Sequence, residues 1–164
     1  MKAIQAHHEL ELSIVLAGAA VIPRFGDIRK LMNLEGFNPD VITNSLVEGQ
    51  TPSAMSKSIG LGMIDYSISL ERLSPDCVVA IGDRFDVLPW VLSAAMMNIP
   101  IAHTMGGERS GTIDESIRHA ITKFSNIHFP ANLDSANRIQ QMGEDPKTIH
   151  TVGCPRIDFV IECL

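Results

Sequence analysis

The chain of 164 residues carries 13 Lys and Arg against 19 Asp and Glu, a net charge of −6, with 45% hydrophobic and 20% charged residues. This composition is typical of a globular domain with a real core and excludes a disordered chain. The acidic balance and the single Trp and Tyr disfavour nucleic-acid binding, which depends on clustered cations and aromatic stacking platforms.

The chain has no apolar run long enough to span a bilayer, and residues 1–8 lack the apolar centre of a signal peptide. We therefore expect a cytoplasmic protein with no membrane partner. The three cysteines, Cys77, Cys154 and Cys163, fit neither a metal-ligand spacing nor a disulfide framework. Cys77 lies in an apolar run and is predicted to be a small core residue. The histidines also lack a metal-ligand pattern, so we expect no metal.

The first half of the chain is predicted to contain two strands and a long helix. Residues 12–17 form an apolar run that ends at Gly18, and residues 41–43 form a weaker one. Residues 52–73 have helical periodicity, in which Gly60 and Gly62 indicate close packing or a slight kink. The apolar residues of this helix tend to one side: Met55, Ile59, Met63, Ile64, Ile68 and Leu73.

Strands and helices then alternate. Residues 77–81 are apolar on both faces, as in a central parallel strand. Strands are also predicted at 99–103, 127–129 and 149–152, and helices at about 86–97, 112–124 and 135–142. This alternation predicts one α/β domain over residues 1–164, a parallel sheet with helices on both faces.

Both ends of the chain indicate a truncated domain. Residues 1–6 look like the back half of a helix that no strand precedes. The helical pattern from Ile157 to Leu164 stops without a C-cap signal.

Ligands of open α/β sheets bind beyond the carboxyl ends of the strands, which singles out residues 18–26, 82–86 and 103–114. Asp83 either caps the following helix or acts as a general acid or base, with Arg84 offering a planar fork to an anion. His103 is a core histidine or a ligand-binding one. Glu108 is a solvated loop residue or a functional one.

Two further features mark the segment 103–114. Gly106 and Gly107 permit the backbone to approach a ligand closely or to adopt positive φ. Thr112 and Glu115 form the pattern of a capping box, and Asp114, placed four residues before Arg118, can pair with it. The chain contains no glycine-rich dinucleotide motif, no P-loop and no nucleophile elbow.

Together these segments resemble the hydrolysing UDP-N-acetylglucosamine 2-epimerases of sialic-acid and related sugar biosynthesis. The resemblance rests on residues 82–86, Gly106-Gly107-Glu108, the run from Ser110 to Lys123 and Val152-Gly153-Cys154-Pro155, and it covers nearly the whole chain. It implies a Rossmann-like domain, most of the N-terminal half of a glycosyltransferase-B-type enzyme. It also implies a homo-oligomer, UDP-GlcNAc or a related UDP-sugar as substrate, and no cofactor. The implied reaction eliminates UDP and adds water to give N-acetylmannosamine.

By position, the resemblance implies that Asp83 and Asp114 are essential acidic residues and that Arg84 and Arg118 contact substrate. We add Glu108 as a catalytic candidate, and His103 and Gly107 as substrate-binding candidates.

The sequence differs from the family's pattern at two positions. Met105 occupies a position where the family often has a third acidic residue, and the segment after Gly18 lacks the family's histidine. With the truncation, they predict little turnover by this chain alone. The alternative is a non-catalytic sugar-nucleotide-binding or vestigial oligomerising module.

Overall fold

The computed structural model describes residues 1–49 and 51–162, the side chain of Glu162 excepted. It divides into two compact units, Met1–Pro75 and Asp76–Leu164. Cys163 and Leu164, where we predicted a thiol outside any disulfide and a continuing helix, lie outside the described residues.

The first unit contains a parallel pair of short strands and three helices. The elements in chain order are α1 (Lys2–Gln5), β1 (Val15–Leu16), α2 (Ile28–Leu34), β2 (Val41–Ile42) and α3 (Pro52–Leu73). Strand β1 pairs with β2 from Val15 and Val41 onward. Only the end of the predicted strand 12–17 is therefore a strand. The segment after β1 turns at once into two short 3₁₀ turns, Gly18–Val21 and Pro23–Phe25.

Helix α3 has the bounds that the sequence predicts, because both of its ends are marked locally. The Thr51 hydroxyl accepts a hydrogen bond from the Ala54 amide at 3.1 Å, and Pro52 occupies the first turn. At the other end Ser74 adopts a left-handed conformation, and its amide donates to the Leu70 carbonyl.

The faces of α3 differ from the sequence prediction. The buried face consists largely of small residues: Ala54, Ser58, Gly62, Tyr66, Ser69 and Leu70. Gly62 therefore packs closely as predicted, whereas Gly60 is exposed. The prediction that Ile64 and Ile68 share a side with Met55 is wrong, because both isoleucines lie on the exposed face of the helix.

The second unit is built on a parallel sheet in the order β3-β4-β5. Its elements are β3 (Val78–Ile81), α4 (Leu88–Met96), β4 (Ile101–Thr104), α5 (Ile113–Phe124), β5 (Ile127–Phe129), α6 (Leu133–Gln141) and α7 (Pro155–Glu162). Helix α4 packs on β3 and β4, and α5 packs on β4 and α4. The predicted parallel α/β arrangement is confirmed. The predicted strand 149–152 is reduced to one bridge between Ile149 and His128.

Strand β3 is not buried on both faces. Val78 and Ala80 are buried, but Val79 and Ile81 are exposed, and so is Cys77, which we predicted to be a core residue. Within the described residues β3 pairs with β4 alone. Because alternate side chains of a strand point to opposite faces, covering one face leaves every second residue open.

None of the described helices is both long and apolar enough to cross a bilayer.

Gly60→Ala is expected to raise the free energy of unfolding by about 0.5–1 kcal/mol, because alanine is the better helix former and a Cβ at this position meets nothing within 4 Å. Gly36→Ala is the matched control. Space is equally open there, but φ is +83°, so we expect a loss of about 1 kcal/mol. Urea denaturation at pH 7 measures both, and equal changes would contradict the prediction.

Candidate functional site

A buried arginine joins two loops at the carboxyl edge of the β3-β4-β5 sheet. Arg118 lies in α5 and is only 5% exposed. Its Nη2 donates to Oδ2 of Asp83, which follows β3. Its Nη1 donates at 2.7 Å to the carbonyl oxygen of Glu108, in the loop after β4. The predicted positions 83, 108 and 118 are therefore brought together, and Asp114 lies one turn before Arg118 on the same helix.

Asp83 does not cap a helix. Helix α4 begins at Leu88, and its N-cap, Val87, makes no side-chain capping bond. Gly82, with φ +89°, turns the chain at the end of β3. The Asp83 carboxylate instead forms the ion pair with Arg118, and 29% of its side chain stays exposed. Of the two sequence interpretations, the capping one is wrong.

Arg84 has a different environment from Arg118. Its side chain is about half exposed, and its Nε lies 3.3 Å from Oδ1 of Asp86. The guanidinium also stands 5.5 Å from the centre of the Phe85 ring. The Asp86 side chain is only 13% exposed, so the pair joins a half-exposed guanidinium to a largely buried carboxylate.

The two glycines of the β4–α5 loop are packed against the protein itself. A Cβ on Gly107, whose φ is +78°, would lie 2.3 Å from the Ser135 carbonyl oxygen. Arg138 of α6 donates to the Gly107 carbonyl and holds the loop there. A Cβ on Gly106 would lie 2.9 Å from Nδ1 of His103. The positive φ of Gly107 is as predicted, whereas the close approach of both glycines is to the protein's own residues and not to a ligand. Arg138 was missed, because no local pattern relates α6 to this loop.

Met105, the residue between β4 and the glycines, has a left-handed backbone with φ 60°. This conformation costs a non-glycine residue about 1–2 kcal/mol. Its amide donates to the Phe129 carbonyl at 2.9 Å, which ties it to the end of β5. The strain has no signal in the sequence.

The predicted capping box at the start of α5 does not form, because Glu115 bonds to amides that precede the N-cap residue Thr112. Oε2 of Glu115 accepts hydrogen bonds from the amides of Gly111 at 2.8 Å and Ser110 at 2.6 Å. These bonds lower the pKa of Glu115. The Thr112 side chain makes no capping bond. The predicted Asp114–Arg118 pair is also wrong, because Arg118 is engaged by Asp83.

His103 is a core residue directly beneath this site. Its ring is almost fully buried, and Nδ1 lies 3.2 Å from the Thr122 hydroxyl. Its register partner on β5 is His128, which is equally buried. Burial lowers the pKa of His103 to about 4, helped by His128 and Arg118. Burial also lowers the pKa of His128, against the opposing effect of Glu144. Sequence reasoning missed the role of His128, since strand pairing alone reveals it.

The third predicted segment, residues 18–26, belongs to the first unit. It lines an open depression of about 360 Å³ at the carboxyl ends of β1 and β2. Leu16 and Ile42 form part of this lining, together with Arg29 and Asn44.

Comparisons with known proteins agree with this fold. The sequence profile of the UDP-N-acetylglucosamine 2-epimerase family matches residues 2–163. A UDP-N,N'-diacetylbacillosamine 2-epimerase (hydrolyzing) from Legionella pneumophila is 35% identical over 99% of this chain and 43% of the relative. A UDP-N-acetylglucosamine 2-epimerase from Neisseria meningitidis is 33% identical over 96% of this chain and 41% of the relative.

Solved structures of longer proteins match as well. The Methanocaldococcus jannaschii UDP-GlcNAc 2-epimerase in complex with UDP-GlcNAc and UDP has a TM-score of 0.85 at 22% identity, over 98% of this chain and 43% of that one. The Neisseria meningitidis enzyme bound to UDP-GlcNAc has a TM-score of 0.84 at 20% identity, over 98% and 43%. The chain thus spans about two fifths of the length of the proteins it matches.

Arg118→Met is expected to lower the free energy of unfolding by about 2 kcal/mol, because it leaves Asp83 and the Glu108 carbonyl without their donor. The matched control is Arg84→Met, which removes a half-exposed guanidinium from its pair with Asp86 and should cost less than about 1 kcal/mol. Urea denaturation at pH 7 compares them. Equal losses would contradict the assignment of Arg118 as the buried link.

The His103 environment predicts an acid-sensitive fold. The unfolded ring binds a proton near pH 6.5, whereas the folded ring does so only near pH 4. The contribution of His103 to stability is therefore complete above pH 6.5 and is lost as the pH falls from 6.5 to 4. His103→Gln should flatten this part of the curve of unfolding free energy against pH, by up to about 1.4 kcal/mol per pH unit. Parallel curves for the two proteins would refute it.

Proposed function

Since the chain belongs to the UDP-N-acetylglucosamine 2-epimerase family, we propose that its residues serve the hydrolysing 2-epimerisation of a UDP-sugar of the UDP-GlcNAc type. In this reaction a base takes the proton from C2, the bond from C1 to the diphosphate oxygen breaks, and UDP leaves with the electron pair. Water then delivers hydroxyl to C1, and a proton returns to the other face of C2. With UDP-GlcNAc the products are UDP and N-acetylmannosamine.

The names of similar proteins support this choice. Two relatives, from Legionella pneumophila and Campylobacter jejuni, are named as hydrolyzing 2-epimerases of diacetylbacillosamine nucleotides. Two of the matching structures hold bound UDP-GlcNAc. The shared chemistry is a nucleoside-diphosphate sugar with a nitrogen substituent at C2.

The observation that carries the proposal is the link from Asp83 through Arg118 to the Glu108 carbonyl. Inversion at C2 requires acid–base groups on two sides of the sugar ring. Asp83 comes from the loop after β3 and Asp114 from the first turn of α5, so two separate elements carry the two carboxylates. We assign proton transfer to this pair, with Glu108 as a third candidate.

The four substrate-binding candidates are assigned different roles according to how deeply each is buried. They are Arg84, His103, Gly107 and Arg118. Arg118 and His103 are buried, so we assign them to holding Asp83 and the floor of the site. Gly107 allows its loop to pack closely against α6, and we assign it to holding the loop in that position. Arg84 is half exposed, and we propose that its guanidinium leaves Asp86 for an anionic group of the substrate, which suits its planar fork.

We expect slow turnover by the 164 residues alone. Elimination requires UDP to be held as a leaving group while the C2 proton is removed, and such positioning supplies much of the rate. The proposed residues supply one side of such a site. The remaining three fifths of the matched proteins would supply further contacts.

The test uses the chain itself and a hybrid in which it replaces its matching region in the Neisseria relative. Each is incubated with UDP-GlcNAc in D₂O, and UDP release is followed together with deuterium at C2 of the product. Asp83→Asn and Asp114→Asn should each lower the rate of the hybrid about 100-fold or more. Asp134→Asn is the matched control, because Asp134 is an exposed carboxylate in the first turn of α6, and it should leave the rate unchanged.

Two outcomes would overturn the proposal. UDP release that survives Asp83→Asn and Asp114→Asn would remove these residues from proton transfer. Saturable binding of UDP-GlcNAc by the chain, with no UDP released by either protein, would establish the alternative of a non-catalytic sugar-nucleotide-binding module.

A further inference from the structure

Two arginines from different helices hold the loop on either side of the Glu108 Cα. Arg138 of α6 donates to the Gly107 carbonyl, and Arg118 of α5 donates at 2.7 Å to the carbonyl of Glu108 itself. These carbonyls belong to the two peptide groups that flank this Cα. Because a peptide group is planar, a hydrogen bond to its oxygen restrains the whole group. The two bonds together therefore restrain the direction in which the Glu108 side chain leaves the backbone.

The contact with α6 leaves this loop little room to shift. A Cβ on Gly107 would lie 2.3 Å from the Ser135 carbonyl oxygen and 2.9 Å from Cγ1 of Ile139. Ser135 and Ile139 are both buried residues of α6. The Asn132 side chain caps this helix by accepting a hydrogen bond from the Ser135 amide at 2.9 Å. Arg138 therefore anchors the loop to a helix that is itself held in place.

Arg138 has a possible partner on its own helix that it does not use. Asp134 lies four residues before it, and this spacing favours an ion pair between side chains of one helix. Among the residues that the structure describes, Arg138 and Asp134 form no pair within 4 Å. The guanidinium donates instead to a neutral carbonyl of the loop. Its contact therefore stabilises the loop rather than α6.

The carboxylate of Glu108 is free, although its backbone is held. The residue is partly exposed, and within residues 1–49 and 51–162 its carboxylate has no ion-pair partner within 4 Å. A group that transfers protons must be available to the substrate and must also be held at a fixed position relative to it. Glu108 combines these two properties.

We propose that Arg138 is a positioning residue of the site and that it acts through Glu108. This inference rests on the proposed function, in which Glu108 is the third candidate for proton transfer. Arg138 and Arg118 hold the two flanking carbonyls, and the held backbone directs the Glu108 carboxylate to the substrate. Arg138 needs no contact with the substrate for this role. Its loss misplaces the carboxylate without removing it, and a displacement of about 1 Å can lower the rate about 100-fold.

A double-mutant cycle in the hybrid with the Neisseria relative tests this role. Glu108→Gln and Arg138→Met should each lower kcat about 10- to 100-fold and leave KM within about threefold. In the Glu108→Gln background, Arg138→Met should lower kcat by no more than about twofold further, because the carboxylate that it positions is already gone. Arg138→Lys should recover most of the rate, since an ammonium group also donates to a carbonyl.

The matched control is Arg72→Met. Arg72 is an exposed arginine in the last turn of α3, so its replacement should leave kcat and KM unchanged.

Hydrogen exchange in the chain alone measures how firmly Arg138 holds the loop. The Met105 amide donates to the Phe129 carbonyl and the Gly111 amide donates to Glu115, so these two amides report on the two ends of the loop. Arg138→Met should speed their exchange about tenfold. The amides of α4 should exchange as before, which also shows that the variant is folded.

The outcomes separate this inference from the proposed function. Additive losses of kcat in an active hybrid, or unchanged exchange at the two loop amides, would overturn the role of Arg138 and leave the proposed function standing. A hybrid that carries the native residues and releases no UDP would overturn the proposed function, and the role of Arg138 in catalysis with it.

Discussion

The ion pair between Arg118 and Asp83 is the interaction on which the carboxyl edge of the second unit depends. A buried guanidinium is costly unless its donors are satisfied. Here they are satisfied by a carboxylate after β3 and by the Glu108 carbonyl after β4. The two loops are therefore held to one group. The position of that group follows from α5, whose apolar residues Ile117 and Ile121 are buried.

Beneath this link, strand β4, its following loop and helix α5 pack closely around Gly106. The Thr122 hydroxyl donates to the Arg118 carbonyl at 3.0 Å and also faces Nδ1 of His103 at 3.2 Å. Gly106 completes this contact because a Cβ there would lie within 3.0 Å of both side chains. The neutral buried imidazole and the bare glycine thus let strand, loop and helix approach closely. Such close packing keeps the acidic groups above it in fixed positions.

Much of the fold could be predicted from local signals. Helix α3 has the predicted bounds because Thr51, Pro52 and the periodicity between them and Leu73 act within a few residues of each other. Strand β5 likewise coincides with its predicted range. Burial was less predictable: Val79 and Ile81 look like core residues by composition. Their exposure depends on which strands and helices cover β3, and that is a property of the assembled sheet.

The sequence by itself determined that acidic residues and glycines collect at the carboxyl ends of parallel strands, since the parallel direction of the strands follows from the alternating pattern. Only the tertiary structure decided which of them interact. Spacing along the helix favours Asp114 as the partner of Arg118, yet the partner is Asp83, 35 residues away. Sequence spacing indicates only which side chains of the same helix are neighbours. Contacts between elements depend on how β3, β4 and α5 pack together. A buried cation needs a carboxylate partner, and the packing determines which carboxylate lies close enough to pair with it.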